Sequence, residues 1–306
     1  MPIRSTREKQ QPTKVLAKPE PAPQPVEPQP PPLRASIAVV SFQRIDWLRR
    51  CLRAVEASEQ REQLQVIVVD NGSWDGSAQL DAEFPEVQFI KLPKNFGLTK
   101  AMNLGWRAAD SPYVFFLHED TEVDPRAARL LADALAAHPE AAGVCPLLVD
   151  EAGNPAPQLG TLPPDGEWRP AGPSAVESAA AEPAAVEYPR GAALMMRVHA
   201  IKTIRQIDEH YGQFGSDADL AEQVRRASKK ILLVAEARVR HHGQDGYTSE
   251  EQADFLLGRA VFLGKYHGFA AGLKARIGAI LSPLARLRLG VLKYTISGQK
   301  IDGTKG

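Results

Sequence analysis

Cysteine is nearly absent: Cys51 and Cys145 are the only two in 306 residues, too few and too far apart for a disulfide framework or a C-x-x-C site. Each lies among apolar residues, as expected of reduced core thiols. Net charge is absent too. The 37 Lys and Arg balance 37 Asp and Glu, so no whole-chain field draws the protein to nucleic acid, and any basic surface must be local. No apolar run approaches the ~20 residues of a membrane-spanning helix, and the first residues carry charge and proline where a signal peptide needs an apolar core. These absences predict a cytoplasmic protein that meets a membrane only from its inner face. No internal repeat is evident.

What is present is a 43% hydrophobic content, enough at this length for one large α/β domain with appendages. Residues 1–34, with "KPEPAPQPVEPQPPP", remove backbone donors and bury nothing, which predicts a disordered or polyproline-like arm. Order begins at "ASIAVVSF", a buried parallel strand. In "IDWLRRCLRAVEAS" the residues Trp47, Leu48, Cys51, Leu52 and Val55 recur at helical spacing. Strand and helix signals then alternate through "LQVIVVD", a weakly helical "AQLDAEF", "VQFIKLP", "LTKAMNLGWRAAD" and "YVFFLHED". Such alternation predicts a mostly parallel central sheet with flanking helices, whose ligands gather beyond the carboxyl ends of the strands. A helix and a strand follow, then an excursion over residues 151–187 rich in Pro, Ala and Gly, which reads equally as a lid or as disorder. Core pattern returns with the strand "VEYPRGAALMMRVHAI", the helix "DADLAEQVRRASKK" and the strand "ILLVAEARVRHH".

Polar residues collect where the strands end. Ser41 to Arg44 follow the first, Asp70, Asn71 and Ser73 the second, Asn95 the third, and His118, Glu119 and Asp120 the fourth. Each alone is an ordinary turn former. Four in succession mark a site.

The ordered series "VVSFQR", "VIVVDNGSWDGS", "KNFGLTKAMNLGWRAA" and "YVFFLHEDT" resembles a family 2 glycosyltransferase near the rhamnosyltransferase-like branch, over about residues 36–263. The resemblance implies a GT-A fold, a nucleotide diphosphate sugar donor (UDP- or dTDP-sugar) and a glycan or lipid-linked acceptor in cell-surface polysaccharide synthesis. It assigns Asp70 to the nucleotide, with Ser41, Phe42, Arg44 and Asn95 around the donor and Asp75 divided between turn capping and nucleotide contact. Relatives carry Asp-x-Asp or Asn-x-Asp at the fourth strand end. Here Asp120 keeps the last position as a metal ligand and His118 replaces the first. A divalent cation, Mn or Mg, would neutralise the diphosphate, and imidazole suits Mn better. His118 is then either a softer ligand or a group that orients the sugar.

In inverting members a carboxylate ahead of a basic-ended helix is the general base. The letters "SDADL" place Asp217 there, with Asp219 in support and Ser216 where Glu is common, although two aspartates at a helix start also serve as caps. Arg190 and Gly191 match a glycine-containing strand on the acceptor side. The resemblance also implies a His after the final strand as a further metal ligand, and in "VRHHG" the alternation puts His241 in phase with Val239, which favours it over His242.

The domain reads as residues 35–268, followed by a basic amphipathic helical tail over 269–306, predicted to break at Pro283. Such a tail can lie on an anionic membrane, on the domain, or on a second copy. Two other functions compete. A nucleotidyltransferase shares the layout but wants a Gly-rich phosphate loop after the first strand, which is missing. A catalytically inactive nucleotide-sugar-binding module that recruits a partner is suggested by the departures at His118 and Ser216.

Overall fold

The computed structural model describes residues 34–162, 182–243, 247–298 and 300–301; the expected arm, except Arg34, and the middle of the expected excursion lie outside them. The first strand, β1 (Ala35–Ser41), is buried throughout. Its side chains alternate between two layers, as the period of a strand requires. Ile37 and Val39 face Leu48, Cys51, Leu52 and Val55 of α1 (Ile45–Glu56). Ala38 and Val40 face the opposite side. Strands β2 (Leu64–Asp70) and β3 (Gln88–Lys91) follow, then α2 (Leu98–Arg107) and β4 (Tyr113–His118). Between β2 and β3 the weak helical signal becomes a short 3-10 helix, Ser77–Ala82.

Next come β5 (Thr121–Val123), α3 (Ala127–Ala137) and β6 (Ala141–Val149), then the short β7 (Leu159–Gly160), β8 (Ala184–Val186) and β9 (Tyr188–Pro189). The chain continues through β10 (Ala193–Arg197), α4 (Val198–Thr203), α5 (Ser216–Arg226) and β11 (Lys230–His241). Three helices close the described chain: α6 (Ser249–His267), α7 (Phe269–Ala285) and α8 (Leu289–Ser297). The main sheet runs β3-β2-β1-β4-β10-β6-β11-β5, with β8 along β11. Strands β1 to β4 are parallel, as are β6 and β11. The strands β10, β5 and β8 run antiparallel to their neighbours. An apolar run carries no direction, so periodicity alone could not foresee the reversals.

The reversals decide where the site forms. An antiparallel strand begins where its neighbour ends, so the residues just before β10 lie beside the carboxyl end of β4. His118 N donates to Ala192 O at 3.0 Å. Likewise β5 turns back after Asp120 and pairs with the end of β11, setting His241 opposite Thr121.

Both cysteines are buried thiols outside any disulfide, and burial pushes the Cys51 thiol up to about 12. Among the described residues no helix is long and apolar enough to cross a membrane. The expected break at Pro283 falls later: α7 runs to Ala285 and the chain turns at Leu287, where φ is +51°. Proline loses its donor but keeps its carbonyl, and Pro283 O still accepts from Arg288 N at 2.9 Å.

Helix α6 is fastened to α5 through Asp219, which is fully buried. Its Oδ1 accepts from Tyr211 (3.0 Å), Tyr266 (2.8 Å) and the Lys265 ammonium (2.8 Å), and its Oδ2 from Gln223 (2.6 Å). Asp219 is therefore a packing hub, and the N-cap position of α5 belongs to Gly215. Asp219→Ala would leave the buried Tyr211 hydroxyl and the partly buried Gln223 and Tyr266 donors without this acceptor, while Lys265 keeps Asp208. The substitution is expected to destabilise the fold by about 1–3 kcal/mol, measured as a lowered midpoint in urea unfolding; an unchanged midpoint would refute the role of the hub.

Candidate functional site

A cleft of about 360 Å³ opens beyond the strand ends, and its lining includes Phe42, Arg44, Asn95, His118, Asp120, Asp217 and His241. Seven of the residues expected from sequence thus share one cavity, although five separate segments contribute them.

One wall is built from the turns after β1, β2 and β3. Ser41 stands opposite Asp70 in the β1–β2 register. Both are buried behind the lining, and Ser41 Oγ and Asp70 Oδ1 have no hydrogen-bond partner among the described residues. The other Asp70 oxygen accepts from Ser73 N at 3.1 Å. Buried polar atoms are seldom left unmatched, so this pair of acceptors is suited to a ligand's donors. Gly72 permits the close turn: its φ is +83°, and a Cβ there would lie 2.4 Å from the Lys94 carbonyl carbon. That approach lets Asn71 Nδ2 donate to Asn95 Oδ1 at 2.8 Å, which also accepts from Gly97 N at 2.8 Å. Asp75 lies outside the lining. Its carboxylate accepts from Ile45 N at 2.8 Å and from the Ser77 hydroxyl at 2.7 Å, so it holds the start of α1 and the turn that carries Phe42 and Arg44. Phe42 meets the exposed Trp74 edge to face, with centroids 5.8 Å apart. Trp74 was not singled out from sequence, where "NGSWDGS" reads only as a turn.

A second wall is charged. One ligand atom each of His118, Asp120 and His241 lies within 4.8 Å of the others. Burial pushes the His118 imidazole down to about 4, so at neutral pH it keeps a lone pair for a cation. Burial acts to raise the Asp120 carboxyl. The hydrogen bond from His241, with the charges of His118, His241 and Arg44, overcomes it and holds the group well below the usual carboxylate range. Asp120 Oδ2 takes the Arg44 guanidinium at 3.3 Å, while the buried Oδ1 stands 3.5 Å from the His241 imidazole. Two imidazoles and a carboxylate so placed could hold a divalent metal ion. Beside them Glu119 is raised to about 7, chiefly by burial and then by Asp120. His242, by contrast, points elsewhere: it pairs with Glu122 at 2.8 Å and stacks on Trp47.

The third wall is Asp217, at the start of α5. Its Oδ2 accepts from the Tyr188 hydroxyl (3.0 Å) and Gly191 N (3.2 Å), and its Oδ1 from Ala218 N (2.9 Å). Burial raises its carboxyl above the ordinary aspartate value. Gly191 eases this approach, since a Cβ there would stand 3.1 Å from the Asp217 Cβ and require a small shift. Tyr188 and Tyr247 escaped the sequence reading; Tyr188 lay within "VEYPRG" as a strand residue with no spacing to mark it.

The family model described as Glycosyl transferase family 2 matches residues 36–201, more than half of the chain. The chain belongs to that family. This family 2 glycosyltransferase is 26% identical over 235 residues to the N-acetylglucosaminyl-diphospho-decaprenol L-rhamnosyltransferase of Mycobacterium tuberculosis, covering 67% of this chain and 75% of that one. Its fold is similar to that of GalNAc-T7, crystallised with UDP, GalNAc and Mn2+, with a TM-score of 0.64 and 14% identity over 88% of this chain and 56% of the other. It is also similar to S. aureus TarS 1-349 in complex with UDP-GlcNAc, with a TM-score of 0.57 and 14% identity over 79% of this chain and 69% of the other. The GT-A architecture expected from the sequence is therefore the fold, and glycosyl transfer is the enzyme class.

The metal cluster gives a direct expectation. Mn2+ titrated into the enzyme should bind with at least about ten-fold lower affinity in Asp120→Asn, since losing one ligand or its support weakens a site by that order. Calorimetry or the Mn2+ EPR signal reads this without turnover, and an unaltered affinity would remove Asp120 from the ligand set.

Proposed function

We propose that the chain is an inverting glycosyltransferase that moves a sugar from a nucleoside diphosphate donor, UDP- or dTDP-linked, to a hydroxyl of a lipid-linked or growing glycan in cell-surface polysaccharide synthesis. One observation carries the reading: the raised carboxylate of Asp217 opens into the same cleft as the His118, Asp120 and His241 cluster. The mycobacterial relative, named for an N-acetylglucosaminyl-diphospho-decaprenol acceptor, supports the acceptor class. An acceptor of that kind would be met at the cytoplasmic face of a membrane.

In this reading Asp70 and Ser41 take the donors of base and ribose, with Phe42 as the adjoining wall. Arg44 lies beside the diphosphate. A divalent ion held by Asp120 and His241, with His118 as third ligand or as sugar-orienting group, would supply countercharge to the diphosphate; the donor set favours Mn over Mg. Asp217 takes the proton from the acceptor hydroxyl as that oxygen attacks the anomeric carbon. The bond from that carbon to the phosphate oxygen breaks on the opposite face, its electron pair leaving on the nucleoside diphosphate. Attack opposite the leaving group inverts the anomeric configuration.

Three groups donate hydrogen bonds to the Asp217 carboxylate and so favour its charged form, while burial disfavours it. The carboxyl must lose its proton to act as base. Activity should therefore rise with pH through its pKa, with the acidic limb of kcat/KM above the ordinary aspartate range. Tyr188→Phe removes a donor to the charged form and is expected to move that limb to higher pH. Asp217→Asn should lower kcat by about 10²–10⁴-fold with donor binding retained, assayed as nucleoside diphosphate release from a panel of UDP-, dTDP- and GDP-sugars. Full transfer by that variant, or a product of retained configuration by NMR, would overturn the proposal.

A further inference from the structure

The last two helices of the described chain leave their large apolar residues in solvent. Along α7, Phe269, Leu273, Ile277, Leu281 and Leu284 are all exposed, and at ~100° per residue they fall within a stripe about 120° wide. The face turned inward is made of small residues and a proline instead: Gly272, Ala279 and Pro283 are the buried ones. Gly272 packs so closely on α6 that a Cβ there would lie 2.6 Å from the Gly264 Cα. Contact with the domain is thus already made by the opposite side of the helix. The stripe is surplus to it.

Charge says what the stripe fits. From Phe269 to Gly298 the sequence holds five basic residues, Lys274, Arg276, Arg286, Arg288 and Lys293, and no acidic one. On the helical wheel Lys274 and Arg276 fall on the two sides of the apolar stripe. At the corner between α7 and α8, Leu287 is 81% and Leu289 69% exposed, alternating with Arg286 and Arg288. Apolar residues rimmed by cations, with no carboxylate among them, match an anionic bilayer surface and not another copy of a face equally basic.

The corner also stands beside the cleft. Arg288 donates to the Gln252 side chain at 3.2 Å, and a Cβ on Gly290 would touch the Ser249 hydroxyl. These contacts seat the corner on the first turn of α6, whose Glu251 lines the cleft, as do Tyr247 before it and Ile301 beyond α8. We propose that the outer face of α7 and the α7–α8 corner dock the protein on an anionic lipid surface, with the leucines inserted at the headgroup boundary and the cleft mouth held next to it. The docking stands on this surface alone. Its use, presenting a lipid-linked hydroxyl to Asp217, rests on the function proposed above.

The test is cosedimentation of the full chain with vesicles of phosphatidylcholine alone and of phosphatidylcholine with phosphatidylglycerol. Binding is expected only to the anionic vesicles and should weaken as salt rises. Lys274→Gln with Arg286→Gln should lower the partition roughly ten-fold or more. The variant Leu273→Ser, Ile277→Ser, Leu281→Ser should fall to the level seen with neutral vesicles. Nucleoside diphosphate release with a water-soluble acceptor should be unchanged in both variants, which shows that they fold and separates loss of docking from loss of chemistry. Absence of wild-type binding, or binding indifferent to lipid charge and to the substitutions, overturns the proposal. So does light scattering that finds a dimer which the triple serine variant dissociates, since the stripe would then be a subunit interface.

Discussion

Three residues, Arg190 to Ala192, join the two halves of the site through backbone hydrogen bonds. Ala192 O accepts from the His118 amide at the end of β4, and the Gly191 amide donates to Asp217. One short segment thereby fixes the charged cluster and the Asp217 carboxylate to a common frame. It can do so because β10 runs against β4, so its first residues must lie where β4 ends. A parallel strand in that place would have delivered its opposite end. Gly191 suits the arrangement, since a Cβ there would crowd the Asp217 side chain at 3.1 Å.

Desolvation then sets the chemistry of each group in that frame. His118 is kept neutral and Asp120 ionised, while Asp217 has its proton held more tightly than an exposed aspartate would. The same burial acts on all three, and the outcome differs because their partners differ. Asp120 has His241 and Arg44, whereas the groups that donate to Asp217 are uncharged amides and a phenol. A carboxylate fixed in its charged form suits a ligand. One poised nearer to protonation suits proton transfer. At His118 the departure from the family pattern leaves a neutral imidazole facing a second histidine, His241.

The C-terminal helices extend the division of labour outward. Asp219 ties α6 to α5 with buried hydrogen bonds, and Asp254 of α6 in turn accepts from the amides of Gln213 and Phe214 just ahead of Asp217. The helix that carries α7 and α8 therefore also braces the loop before Asp217.

Much of this was open to reading from residues alone. Strand and helix periodicity gave β1 to β4 and α1 to α3, because an apolar face repeats at a fixed interval whatever the rest of the chain does. The polar turns at successive strand ends mark the cleft, and the family resemblance points to Asp70, Asp120, Asp217 and His241 from the residues alone. Strand direction was not readable, since an apolar run is the same in either sense, nor was the three-residue β5 that brings Asp120 to His241. The division of the neighbouring aspartates also needed the tertiary structure: Asp75 holds a helix start, Asp219 anchors a distant helix, and Asp217 alone of the three opens into the cleft. Local sequence determines which faces and turns a chain can form. Which carboxylate meets a ligand and which meets a lysine depends on segments far apart in sequence, and only packing brings those together.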